Sequence, residues 1–198
     1  SLTNIDGEEM YCINHFDAML PFFMSIVSNS DLWMYLSSTG SLTAGRQNFN
    51  NALFPYYTDD KIHDYAGITG PTTIIRVFEN DRIKIWEPFS NSLNELYPVT
   101  RKLFKNKAGN KIIFQETNNE LQLTFSYTWM NAESLGWIRK SELTNHASKP
   151  VVADITDGLL NIIPAGITRD TQATMSTLMD AYKIAEYIPE YQSAIFRL

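Results

Sequence analysis

The chain is poor in the residues and motifs that carry most recognisable chemistry. Its single cysteine, Cys12, cannot close an internal disulfide, so no oxidising compartment is implied, although many exported proteins also lack disulfides. Localisation stays open on this ground, with the cytoplasm slightly favoured. Only three histidines occur, His15, His63 and His146, and no two have a metal-ligand spacing such as H-x3-H. No apolar run approaches the roughly 18 residues of a membrane helix. The nearest, from Met19 to Val27, contains Pro21 and Ser25, and no basic n-region marks a signal peptide. With a net charge of -6, and Lys and Arg scattered apart from Lys102, Lys105 and Lys107, there is no positive field to attract nucleic acid. Neither nucleic acid nor a membrane is an expected partner.

Sequence motifs for catalysis are absent too. There is no G-x-S-x-G nucleophile elbow, and Gly40, Gly45, Gly67 and Gly70 form no phosphate-cradling pattern. The stretch DDKIHD, with Asp59, Asp60, His63 and Asp64, could offer oxygen ligands to a hard cation, but such a run is more often only solvated. Adjacent Asp59 and Asp60 would point to opposite faces of an extended segment, which makes them a poor acid/base pair. No catalytic residue, metal or cofactor is therefore expected.

What the chain does have is aromatic side chains, 11 Phe, 10 Tyr and 4 Trp, a content that suits sheets and sugar-stacking surfaces alike. At 198 residues it suits one domain with a sizeable core. Residues before Leu20 look irregular. FFMSIVS and LWMYLSS read as strands around the turn Asn29–Asp31, and SLTAGR follows after another turn. TTIIRVFENDRIKIWEPF reads as a hairpin with Asn80-Asp81 at its tip.

The clearest strand is ELQLTFSYTW. Leu121, Leu123, Phe125, Tyr127 and Trp129 alternate with Gln122, Thr124, Ser126 and Thr128, which predicts one buried and one polar face. It is expected to pair with KIIFQET through a two-residue turn at Asn118-Asn119. GWIRKSEL and VVADI add two strands. The period changes to 3.6 only near the end, where Met175, Leu178, Met179 and Tyr182 follow a candidate N-cap at Thr168, with Pro189 as the stop. Many strands and one late helix predict a mainly β fold, an antiparallel β-sandwich with one C-terminal helix. The expected division is residues 1–27 as an N-terminal extension with the first strand, 28–167 as the sandwich, and 168–198 as the helix and a terminal strand. The abrupt SAIFRL ending reads as a truncated strand, whose open edge could pair with a second copy.

The densest chemistry lies in GRQNFNNALFPYYTDDK, residues 45–61. Arg46, Asn48, Tyr56, Tyr57 and Asp59 offer flat rings together with donors and acceptors suited to ordering sugar hydroxyls, so they are the candidate substrate-binding residues. The competing reading places Phe54 and one tyrosine in the core, with Arg46 pinning the loop to an aspartate.

Three segments, LTAGRQNFNNALFPYYTDDKI (Leu42–Ile62), DGLLNIIPAGI (Asp157–Ile167) and STLMDAYKIAE (Ser176–Glu186), are similar to the N-terminal region of large proteins related to cellobiose phosphorylase. The resemblance runs roughly from Ser28 to Leu198. It implies a galactose-mutarotase-like β-supersandwich, incomplete at this length, that packs on a catalytic (α/α)6 barrel of the same parent chain. It also implies dimer contacts and loops lent to the sugar site, with the catalytic carboxylate in the barrel. The expected function is thus a non-catalytic N-terminal domain of a glycoside phosphorylase or hydrolase, with carbohydrate as a possible ligand.

Two alternatives remain. A stand-alone carbohydrate-binding module would need exposed coplanar rings from Trp33, Trp86 and Trp137, although Trp33 and Trp86 are expected in the core. An aldose-mutarotase-like enzyme would need a positioned acid and base, for which His63 or His146 could be tried with Glu87, Glu116 or Glu142.

Overall fold

A computed structural model describes residues 1–79, 82–90, 96–134, 136–164 and 166–198. The fold is mainly β, antiparallel throughout, with one long helix near the C-terminus. Among the described residues no helix is long and apolar enough to cross a membrane.

The stretch before Leu20, expected to be irregular, instead opens with a hairpin of β1 (Leu2–Ile5) and β2 (Glu8–Asn14). Asp6 and Gly7 join them with φ of 51° and 84°. Positive φ at both central residues is what an Asp-Gly hairpin turn requires. Strand β2 continues into a six-stranded sheet through β8 (Val99–Asn106), β9 (Lys111–Asn118), β10 (Leu123–Asn131) and β11 (Trp137–Asn145). The expected two-residue turn between β9 and β10 is instead a four-residue loop, 119–122. Asn118 Oδ1 accepts from the N–H groups of Glu120 and Leu121, and Gln122 takes φ 54°. Leu121 therefore lies in the loop, yet it remains buried with Leu123, Phe125, Tyr127 and Trp129. The other face of β10 is less open than expected, because Thr124 and Thr128 are also buried.

Two small sheets cover the inner face of the large one. The first has the order β3 (Phe23–Ile26), β4 (Leu32–Ser37), β5 (Leu42–Arg46). The second places β6 (Gly70–Glu79) between β12 (Val152–Leu160) and β7 (Arg82–Trp86). The expected hairpin tip at Asn80-Asp81 lies outside the described residues, and its arms pair up to Glu79 and Arg82. One continuous core fills the space between these layers. Met34, Leu36 and Leu42 enter from one small sheet, Ile75 and Trp86 from the other, and Phe114, Phe125 and Trp129 from the large sheet. This is the sandwich that the alternating pattern predicts.

One buried ion pair and one partly exposed pair tie the layers together. Glu116 on β9 accepts from Arg101 Nε at 2.6 Å, from Trp86 Nε1 at 2.8 Å and from the Phe89 N–H at 2.8 Å. Asp157 on β12 receives both terminal nitrogens of Arg139, at 2.6 and 2.8 Å, and the Thr73 hydroxyl at 2.6 Å. The second pair ties the large sheet to a small one, and the Arg139 guanidinium lies 5.0 Å over the Tyr127 ring.

A short helix, α1 (Asp59–Ile62), follows β5, and α2 (Arg169–Tyr182) follows β12. Thr168 caps α2 as expected, its side chain accepting from the Thr171 N–H. Pro189 does not stop that helix, which ends at Tyr182. The chain continues into a ribbon of β13 (Ile184–Ile188) and β14 (Ser193–Arg197), with Pro189 in the short 3-10 turn between them. No residue of α2, β13 or β14 is buried; Met175, Leu178 and Tyr182 face outward at about half exposure or more.

Candidate functional site

The segment after β5 is held against the sandwich by close backbone approach. Gly45 bridges to Ala52, and the N–H groups of Leu53 and Phe54 both reach the Ala44 carbonyl. A Cβ at Gly45 would meet Trp33 Cζ2 at 2.5 Å, the Asn51 carbonyl oxygen at 2.6 Å and Ala52 Cα at 2.8 Å. Only glycine permits that approach. Further on, Ser41 donates to the Ile62 carbonyl, and Ser37 Oγ bonds His63 Nδ1 at 2.7 Å. Phe54 and Ile62 are buried, so this apparent surface loop is partly core.

The fold separates the five candidate binding residues. Arg46 lines an open groove of about 520 Å³ together with Asp31, Gln47, Asn51 and Ser134, over an apolar floor that includes Leu53, Pro164 and Ile167. Asn48 serves locally: its Oδ1 accepts from the Asn50 N–H at 3.0 Å, and its carbonyl accepts from Trp33 Nε1 at 3.3 Å. Tyr56 is exposed and meets Trp33 and Phe49 at ring separations of 6.0 and 5.8 Å. Tyr57 turns the other way, stacking on Tyr65 at 3.8 Å with its hydroxyl 3.2 Å from Thr69 Oγ1. Burial pushes the Tyr57 phenol up, the Thr69 bond opposes this, and nearby Tyr65 adds to the rise. Asp59 opens α1, and its side chain lies outside the described set. The extended geometry assumed for Asp59 and Asp60 is thus replaced by a helical turn, in which Thr58 Oγ1 donates to Asp60.

An aromatic strip that the sequence reading missed runs beside this groove. Phe23 stacks on Tyr35 at 5.2 Å, Tyr35 adjoins Trp33 at 6.0 Å, and Trp33 leads to Tyr56 and Phe49. Arg169, at the start of α2, lies 5.5 Å over Phe49 and 6.0 Å over Tyr56. Trp33, expected in the core, is only half-buried because it alternates with the inward-facing Met34 on β4. The signal was available in LWMYL, where Trp33 and Tyr35 share a face two residues apart. Trp86 is a core residue as expected, and Trp137 is half-buried.

Groove and strip are continuous. The loop at 47–53 supplies residues to both, the Ile163 N–H bonds the Leu53 carbonyl at 2.8 Å, and α2 packs on the turn Phe49–Asn51. The loop after β5, the segment around Ile163 and Ile167 and the start of α2 at Arg169 therefore meet at one place.

Four of the five groups considered for acid/base work are engaged elsewhere, and the fifth, Glu87, lines a cavity at one end of the sandwich. His63 bonds Ser37, His146 Nε2 bonds Thr124 Oγ1 at 2.8 Å, Glu116 holds Arg101, and Glu142 pairs with Lys140 at 2.8 Å. Among the described residues no group of three or more His, Cys, Asp or Glu side chains could hold a metal ion. The chain matches no family model, and no curated protein matches it.

Proposed function

We propose that this chain is a non-catalytic β-sandwich unit of a carbohydrate-active enzyme of the glycoside phosphorylase or hydrolase type. It offers the strip and groove to sugar, and it braces a helical catalytic barrel against α2 and the β13–β14 ribbon. The observation that carries the reading is the continuity of five exposed or half-exposed rings with a groove holding a guanidinium, a carboxylate and two amides. Flat rings stack on the apolar faces of pyranoses, and fixed polar groups order their hydroxyls. Support for the bracing role comes from the helix and ribbon, where Met175, Leu178, Tyr182, Tyr187 and Ile195 are all exposed.

The same strip would serve a stand-alone binding module, so the two readings differ in what α2 and the ribbon do. Titration calorimetry with cellobiose and cellohexaose tests the shared part. Cellohexaose should bind, and Tyr56→Ala should weaken it about fivefold, corresponding to about 1 kcal/mol from one ring contact. Cellohexaose binding that is absent, or indifferent to Tyr56→Ala and Arg46→Ala, would remove the proposal.

A further inference from the structure

We propose that the cleft beneath the Thr39–Gly40 turn, at one end of the sandwich, is a second sugar site taking a single uncharged pyranose-sized ligand. The choice of ligand class rests on the carbohydrate reading above, whereas the site is argued from geometry. Two cavities, of about 410 and 220 Å³, are both lined by Thr39, Gly40, Phe89 and Tyr127. The larger falls within the usual range of small-molecule sites, roughly 300–1,000 Å³.

The shared wall is held in an unusual conformation. Phe89 sits at φ 64°, a left-handed backbone that costs a bulky residue on the order of 1–3 kcal/mol. It is retained there by the bond from its N–H to the buried Glu116 carboxylate and by edge contacts of its ring with Phe114, Phe125 and Tyr127. Opposite it, Gly40 has φ 95°, and a Cβ there would lie 3.4 Å from the Tyr127 hydroxyl. The backbone thus approaches the phenol closely. Backbone strain of this kind clusters at ligand clamps and active sites.

Electrostatics selects the ligand class. The nearby cations, Arg101 and Arg139, each face a carboxylate of their own, while Glu87 lines the larger cavity and Asp17 the smaller. An anion would meet the negative charge of Glu87 or Asp17, whereas a neutral polyol can donate its hydroxyls to these carboxylates. Burial raises the Tyr127 phenol far above its ordinary value, so it stays a neutral hydroxyl. A neutral hydroxyl, carboxylate acceptors and an aromatic wall suit the donors, acceptors and apolar faces of a polyol.

Saturation-transfer NMR on the full chain, with D-glucose and cellohexaose as probes, separates the two sites. Glu87→Gln should weaken glucose at least tenfold and Thr72→Phe, which fills the larger cavity, should abolish its signal. Both should leave cellohexaose unchanged, and Tyr56→Ala should do the reverse; matching unfolding midpoints show that each variant is folded. No glucose signal from the wild type, or a glucose signal indifferent to both cleft variants, overturns the second site while cellohexaose binding still supports the strip. Loss of cellohexaose binding with glucose behaving as expected overturns the strip alone.

Discussion

Removing the Glu116 carboxylate tests how the interior of this sandwich is held together. In Glu116→Ala the Arg101 guanidinium, only 4% exposed, loses its counter-charge. Breaking a buried pair in this way costs about 3–5 kcal/mol. The Trp86 indole N–H and the Phe89 N–H lose the same acceptor, and each orphaned neutral donor costs about 1–3 kcal/mol. These losses share one carboxylate and do not add fully, so a net loss of about 4–6 kcal/mol is expected. Against a total stability of about 5–15 kcal/mol, the variant should stand close to unfolding.

Urea denaturation followed by tryptophan fluorescence reads this directly, since Trp86 and Trp129 are both core residues. The double variant Arg101→Met/Glu116→Leu removes both charges and should be at least about 2 kcal/mol more stable than the sum of its single changes, because no buried charge is then left alone. A Glu116→Ala protein within about 1 kcal/mol of wild type would refute the reasoning, since it would mean that Arg101 reaches solvent or another acceptor at little cost.

Two further outcomes follow from other contacts. Gly45→Ala should destabilise by about 1–3 kcal/mol and weaken cellohexaose binding, because the added methyl collides with the backbone of Asn51 and Ala52 and displaces the loop carrying Arg46 and Tyr56; an unchanged melting curve and affinity would exclude that role. For Asp157, burial alone would push the carboxyl up, but the bonds from Arg139 and Thr73 and the charge of Arg139 hold it below its ordinary value. Its contribution is therefore present above the unfolded pKa of about 3.9 and is lost as pH falls through the lower folded value. Asp157→Asn should be less stable than wild type at pH 7 and should show a shallower loss of stability below about pH 4, measured by urea titration across pH.

How much was legible depends on how local each signal is. The row Leu121 to Trp129 was readable because alternation along a strand assigns faces without reference to the partner strand. Thr168 was readable because an N-cap is satisfied within three residues. Asp6-Gly7 carried an equally local turn signal that the acidic surroundings obscured. The strip was only half legible, since LWMYL places Trp33 and Tyr35 on one face but does not say whether that face is covered. Arg46 and Tyr56 were singled out by composition, yet Tyr57, of the same type and adjacent, stacks on Tyr65 instead.

The sequence by itself determined the strand-rich antiparallel class, the apolar rows that form the core and the start of the late helix, because these depend on periods of 2 and 3.6 and on caps a few residues long. Only the tertiary structure decided that Glu116 meets Arg101 and Trp86, that Asp157 meets Arg139, and that Asp31, Arg46, Leu53, Pro164 and Ile167 line one groove. Those partners are brought together by the stacking of separate sheets. Which buried charge finds which counter-charge, and which aromatic face stays open, depends on distances across the sandwich that no local pattern encodes.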